Sequence, residues 1–185
     1  MTILILSDTH GHPDRIQALL DRPSVRPDAI LFAGDGLRDF QYLTLPCPLY
    51  AVMGNNDFIC SAMRGEIPQA ELTLDLDGCR IFLTHGHRQG VKDSPAHLLP
   101  YAVAKQADIA IFGHTHEPYH EYVPAGERVG DTVTDHPIWL FNPGSLGDWQ
   151  GSFGTLEIRN GKPLLSFGTL KKTRGAFLTE CPTHL

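Results

Sequence analysis

Two histidines one residue apart, His114 and His116, close the stretch Ile109-Ala-Ile-Phe-Gly-His-Thr-His-Glu117. The run before them is too apolar to face water, and the imidazoles are too polar to extend it. The chain therefore leaves its core at Gly113 and offers two ring nitrogens, common metal ligands, at a strand's end. The same event recurs along the sequence. Ile3-Leu-Ile-Leu leads to Ser7-Asp-Thr-His10, Ala29-Ile-Leu-Phe to Gly34-Asp35, and Tyr50-Ala-Val-Met to Gly54-Asn-Asn-Asp57. Ile81-Phe-Leu leads to Thr84-His-Gly-His87, and Ile138-Trp-Leu-Phe to Asn142-Pro-Gly-Ser145.

Pooled, these turns offer the carboxylates of Asp8 and Asp35, the imidazoles of His10, His85, His114 and His116, and the amide oxygen of Asn55. Mixed nitrogen and oxygen ligands suit first-row divalent ions such as Mn, Fe, Co, Ni or Zn, whereas Ca and Mg prefer oxygen alone. Seven groups exceed what one ion with an open position needs, but they fit two ions sharing a carboxylate. Two such ions roughly 3.5–4 Å apart can clamp an attacking hydroxide and a phosphoryl oxygen. Two divalent cations against two carboxylates would also leave positive charge for an anionic substrate.

The elements that must position these groups follow from the apolar pattern. Thr2–Leu6, Ala29–Ala33 and Leu49–Met53 read as strands, separated by a helix from Pro13 with Ile16, Leu19 and Leu20 on one face and by a short helix over Leu37–Leu45. That alternation implies parallel pairing through right-handed crossovers. Phe58–Gln69 reads as a loop with a helical turn. Asp77-Gly78 and Asn160-Gly161 are hairpin turns between strands, so the second half turns antiparallel. Ser94-Pro95 starts a helix that Pro100 kinks or restarts. Pro124–Pro137 reads as an exposed loop or long hairpin, open to a partner or dimer contact. Residues 1–170 form one domain and 171–185 a C-terminal tail. Parallel strands bring their exits to one sheet edge, where ligands gather in α/β proteins.

Bulk properties narrow the classes. The 185 residues suffice for one sizeable core. A net charge of −6 argues against strong nucleic-acid binding, which needs clustered Lys and Arg. No apolar run reaches the length of a membrane span, and no basic-then-apolar leader precedes the first strand. Cys47, Cys60, Cys79 and Cys181 share no close spacing, so neither a disulfide framework nor a cysteine zinc site is indicated. A cytoplasmic protein with reduced thiols is the expectation.

Asp8-Thr-His10, Gly34-Asp35, Gly54-Asn-Asn-Asp57, His85-Gly-His87 and Gly113-His-Thr-His116 occur in the order of the calcineurin-like metallophosphoesterase family. With Asn142-Pro-Gly-Ser145 and the compact length, the chain resembles its small YfcE-type phosphodiesterase branch. The resemblance implies a four-layer αββα sandwich of two mixed β-sheets flanked by helices. It implies two divalent transition-metal ions, manganese first, with Fe, Zn, Ni or Co as alternatives. Asp8, His10, Asp35 and His116 would hold the first ion. Asp35 would bridge to the second, completed by Asn55, His85 and His114. It further implies that a hydroxide shared by the ions attacks a small phosphodiester in line. His87 would face substrate or stand behind the ligands, and Asp57 would orient His10 or Asn55. A homodimer is allowed.

One position departs from the family pattern. Many members carry histidine after the asparagine of Gly-Asn-His, where it assists the leaving group; this chain has Asn56. Either good leaving groups are preferred, or His87 or a metal-bound water takes over. Alternatives on the same fold are a Vps29-like interaction scaffold, which has lost metal residues, and a phosphomonoesterase or nuclease using the same site.

Overall fold

Alternation along single strands sets the architecture. In Thr2–Leu6, Ile3 and Ile5 face one way and Leu4 and Leu6 the other, and all four are buried. Ala29–Phe32 splits in the same manner, Leu31 against Ile30 and Phe32. A strand buried on both faces must lie inside a stack of layers. One set (Ile3, Ile5, Leu31) packs with Ile81, Leu83 and Ile109 of a second sheet. The other (Leu4, Leu6, Ile30, Phe32) packs with Ile16 and Leu19 of the helix Pro13–Leu20, α1. A third seam joins Phe82, Ala110 and Leu140 to Leu98, Leu99 and Ala102, the last two in the helix Leu99–Ala104, α2. Three apolar seams make four layers, the expected αββα sandwich, with thin outer helical layers.

The computed structural model describes residues 1–57, 69–130, 132–173 and 176–180. The strands in chain order are β1 (Thr2–Leu6), β2 (Ala29–Phe32), β3 (Leu49–Ala51), β4 (Glu71–Leu76), β5 (Cys79–Thr84), β6 (Ile109–Ile111), β7 (Pro118–Val123), β8 (Arg128–Val129), β9 (Thr132–Val133), β10 (Ile138–Pro143), β11 (Ser152–Arg159), β12 (Lys162–Thr173) and β13 (Ala176–Glu180). The first sheet runs β13-β12-β11-β1-β2-β3 and the second β4-β5-β6-β10-β7. β1, β2 and β3 are parallel, as are β5, β6 and β10, while the remaining pairs in both sheets are antiparallel. Both predicted hairpin turns are present: Asp77 and Gly78 have φ of 49° and 83°, Asn160 and Gly161 of 53° and 71°.

Several expectations need correction. The helix expected over Leu37–Leu45 is a single 3₁₀ turn, Leu37–Phe40, begun at Gly36 with φ 138°. Pro100 marks the restart of the helix, one of its two expected readings, within one residue. It falls in the first turn of α2, where a missing N–H is harmless, after a 3₁₀ turn over Pro95–Leu98 capped by the Ser94 side chain. Of the two readings of 124–137, loop or hairpin, the second is present in small form as β8–β9. The segment read as a tail carries strand: β12 continues past Leu170 to Thr173 and pairs with β13. A short run rich in apolar and β-branched residues can add to an open sheet edge. The reading of Phe58–Gln69 falls on residues 58–68, outside the described residues.

Candidate metal centre

The two parallel triplets end on a common edge between the sheets, and each chemical group sits just past a strand. The chain turns there by adopting the left-handed backbone region. Asp8, His10, Asp35, His114 and His116 have φ of 51°, 46°, 61°, 69° and 64°. Such values are uncommon outside glycine and cost on the order of 1–2 kcal/mol each. Concentrated at predicted ligand positions, they indicate a site whose surroundings enforce the geometry. Two glycines admit the close approach. A Cβ on Gly54 would lie 2.0 Å from Asp35 Oδ1, and one on Gly113 would lie 1.9 Å from Ser7 Oγ. Backbone bonds stitch the exits together: the Asp8 N–H donates to the Gly34 carbonyl, Thr9 to Asp35, and Gly113 to His85.

Asp8 is fully buried. Its Oδ2 accepts from the Ser7 hydroxyl at 2.6 Å and from the His114 N–H at 3.1 Å. Its Oδ1 is buried with no hydrogen-bond partner. That atom lies 3.3 Å from His116 Nε2 and 3.7 Å from His10 Nε2, and the two imidazole nitrogens are 3.1 Å apart. The second group is Asp8, Asp35 and His85. His85 Nδ1–H donates to the Ala33 carbonyl at 2.7 Å, which aims Nε2 into the centre. There Nε2 meets Asp35 Oδ2 at 3.4 Å and Asn55 Oδ1 at 3.1 Å. The His114 ring packs 5.0 Å from that of His85.

Donors and acceptors do not balance here. Carboxylate, amide and imidazole acceptors converge, so a proton or a metal ion must lie between them. Burial, the largest influence on Asp35, favours its neutral form. Hydrogen bonds from His85 and Asn56 and the charge of His85 outweigh it and hold the carboxyl well below the usual range. Burial likewise opposes charge on His85, but the bond to Asp35 and the charges of Asp8 and Asp35 push its pKa up. His116 is raised chiefly by the Asp8 carboxylate beside its Nε2. His114 is lowered to about 4, by burial first and then by the positive charges of His85 and Lys92. The raised imidazoles mark where positive charge is wanted, and the orphaned Asp8 oxygen lies 3.3 Å from one of them, His116. Residues of this type fit divalent transition-metal ions.

The remaining predicted residues take the following places, and Asp57 departs from its expected role. Asp8 falls in both groups of converging ligand atoms, and Asp35 joins it in the second. Asn55 joins the second group through His85. His87 stands at the periphery, 5.4 Å from the His85 ring and 6.1 Å from His114, with Nδ1 buried and unpartnered. Burial, then His85 and Arg88, lower its pKa. Asp57 was expected to orient His10 or Asn55. Its oxygens instead accept the N–H groups of Asp35, Gly36, Leu37 and Gly54 at 2.8–2.9 Å, holding the two loops against each other. Asn142 donates to the Gly113 carbonyl and Thr115, and Ser145 to the Asp8 carbonyl, as backbone supports. Asn56, in the place of the family histidine, grips Asp35: its N–H donates to Oδ1 at 2.8 Å and its side-chain amide to Oδ2 at 2.6 Å.

Sequence reasoning missed two supports. Asp148 Oδ2 lies 3.2 Å from His116 Nδ1, and its N–H donates to Ser145 Oγ. Asp39 accepts from the Thr9 hydroxyl at 2.6 Å and the Gly11 N–H at 2.9 Å, fixing the turn that carries His10. A lone Asp in a loop gives no spacing signal; only the fold brings residue 148 beside residue 116.

A family model for the calcineurin-like phosphoesterase superfamily domain matches residues 1–161. The chain is 32% identical over 116 residues to the probable metallophosphoesterase YsnB of Bacillus subtilis, covering 63% of this chain and 64% of that protein. It is 27% identical over 170 residues to a phosphodiesterase of Methanocaldococcus jannaschii, covering 85% and 92%. The solved structure of Chaetomium thermophilum Vps29 shares the fold at a TM-score of 0.73 and 18% identity, covering 98% of this chain and 96% of that one. The chain belongs to the calcineurin-like phosphoesterase superfamily, whose members use divalent metals.

Proposed function

We propose that this phosphoesterase is a dinuclear-metal phosphodiesterase acting on small substrates in the cytoplasm. The observation that carries the reading is the unpartnered Asp8 Oδ1, buried where the ligand group of His10 and His116 adjoins that of Asp35 and His85. Asp8, His10, Asp35 and His116 would hold one ion, and Asp35, Asn55, His85 and His114 the other, manganese first among the candidates. When bound, two such ions supply Lewis acidity toward phosphoryl oxygen and a nucleophile at neutral pH.

The chain's own residues do the rest. Asp57 and Asn56 fix the Asp35 carboxylate, one through the backbone and one directly. Asp148 holds the His116 ring at Nδ1, which turns Nε2 toward Asp8. His114, unprotonated near neutral pH, stays available as a ligand. His87, with its lowered pKa, is neutral there and offers at best a neutral N–H to the departing oxygen. With Asn56 committed to Asp35, no strong proton donor is in place, which favours good leaving groups.

Vps29 shares the fold, but here every predicted ligand position carries a ligating side chain, which favours the enzyme reading over a scaffold. The test is to strip the protein and reload it with Mn, Fe, Co, Ni or Zn. Bis-p-nitrophenyl phosphate and p-nitrophenyl phosphate are then compared. Metal-dependent hydrolysis with the diester preferred, lost in Asp35→Asn, is expected. Undiminished activity in Asp35→Asn, or a preference for the monoester, would overturn the reading.

A further inference from the structure

We propose that the cleft on the second-sheet side of the metal centre is a subsite for one arm of a nucleotide-type phosphodiester, with Lys92 receiving a second negative charge carried by that arm. This rests on the phosphodiesterase reading and adds the substrate class.

A diester carries two organic groups on phosphorus and a monoester one, so a diester centre needs room on two sides. One cleft contains ligand residues, and a second opens at Thr115, the neighbour in sequence of His114 and His116. One, of about 310 Å³, lies among the first-sheet exits and is lined by His10, Asp35, Arg38 and Asn56 among others. The other, of about 360 Å³, belongs to the second-sheet side and is walled by Lys92, Pro95, Thr115, Glu117, Pro118 and Tyr119. Thr115, between His114 and His116 in the chain, joins that cleft to the centre. Each volume is at the lower end of small-molecule sites, which fits one nucleoside-sized arm per side and not a polymer.

The walls of the second cleft suggest what its arm is. Pro95, Pro118 and Tyr119 supply flat apolar surface for a ring. Tyr119 is already fixed, its hydroxyl donating to Glu121 at 2.5 Å and its ring edge-on to Phe112 at 6.2 Å, so little order is lost on binding. Lys92 is exposed and is the cationic side chain lining this cleft. Its charge reaches His114, so it also lies within range of the centre. Glu117 would repel an anion from its own part of the rim and can accept from a sugar hydroxyl. On a chain of net charge −6, Lys92 is where an anionic arm is drawn. Hydrolysis adds water's oxygen to the linking phosphorus, breaks one P–O ester bond and leaves a proton on the departing oxygen.

The dinucleotides ApA and pApA share rings and scissile phosphate and differ only by a terminal phosphate, which makes them the test pair. The metal-loaded protein should favour pApA by about fivefold, mainly in KM, the scale of a rim ion pair. Lys92→Met should bring the ratio near one, Lys92→Arg should keep it, and Lys92→Glu should invert it. A ratio near one in the unmodified protein, or one unchanged in Lys92→Met, overturns the inference. So does hydrolysis of neither dinucleotide when bis-p-nitrophenyl phosphate is still cleaved. Failure on that reporter as well would instead sink the phosphodiesterase reading itself.

Discussion

Asn56 stands where the family resemblance leads one to expect histidine. Both its donors are spent on Asp35, so it steadies a ligand where a histidine would serve the leaving group. Asn56→His should therefore raise the rate on esters with poor leaving groups by about tenfold or more, the lower part of what a proton donor contributes. Steady-state rates on alkyl and aryl diesters would show it, and an unchanged alkyl rate would refute the missing-acid account. Asp148 acts from the other side of the centre. Loss of a carboxylate that orients a histidine ligand costs about 10–100-fold in metal affinity. Asp148→Asn should weaken one of two ions in a calorimetric titration and spare the other. Equal weakening of both would contradict that assignment.

Protonation at His116 gives a third check at the residue scale. Its pKa is raised by Asp8, so without metal the pair's contribution to stability is present at low pH and lost as pH rises through the raised value. Metal binding has the opposite sign, because the ion replaces that proton. Mn affinity should rise as pH rises through the raised His116 value, with proton release on binding. His114, lowered to about 4, should add nothing to that slope. A pH-independent affinity would show that His116 is not a ligand.

At the level of elements, the centre depends on how strands stop. The residues gathered at the centre could be read in the sequence because each follows an apolar run, and runs of that kind become strands. Their supports were not legible, because Asp148, Asp39 and the true role of Asp57 depend on loop-to-loop contacts made only after the sheets pair. The strand at Ala176–Glu180 was missed because a short segment gains strand structure only from the neighbour it meets. Tight turns impose a test of their own. Gly113→Ala would drive a methyl into Ser7 and should cost about 3 kcal/mol, the upper range for overpacking. Gly126→Ala meets nothing within 4 Å and should cost only its left-handed strain, about 1 kcal/mol. Denaturant midpoints would compare the two, and equal losses would mean that the site loops are looser than the packing implies.

For the whole molecule, the sandwich is a device for bringing distant chain positions to one edge. Asp8 and His116 are 108 positions apart in sequence, yet an oxygen and a nitrogen of theirs lie 3.3 Å from each other. The layers are implied in the sequence only by the family resemblance, and three apolar seams realise them. No helix among the described residues is long and apolar enough to cross a membrane. Because the ligands come from both sheets, ions binding there should tie the sheets together. An ion at a hundred times its Kd adds about 2.7 kcal/mol. That is roughly 5–10 °C in Tm for a domain of this size, and chelator should reverse it.

The central claim is that two ions sit together between Asp8, Asp35 and the imidazoles of His10, His85, His114 and His116. Anomalous diffraction from crystals of manganese-loaded protein tests it directly. Two peaks roughly 3.5–4 Å apart within those side chains are expected; a single peak, or manganese elsewhere on the molecule, would contradict the account.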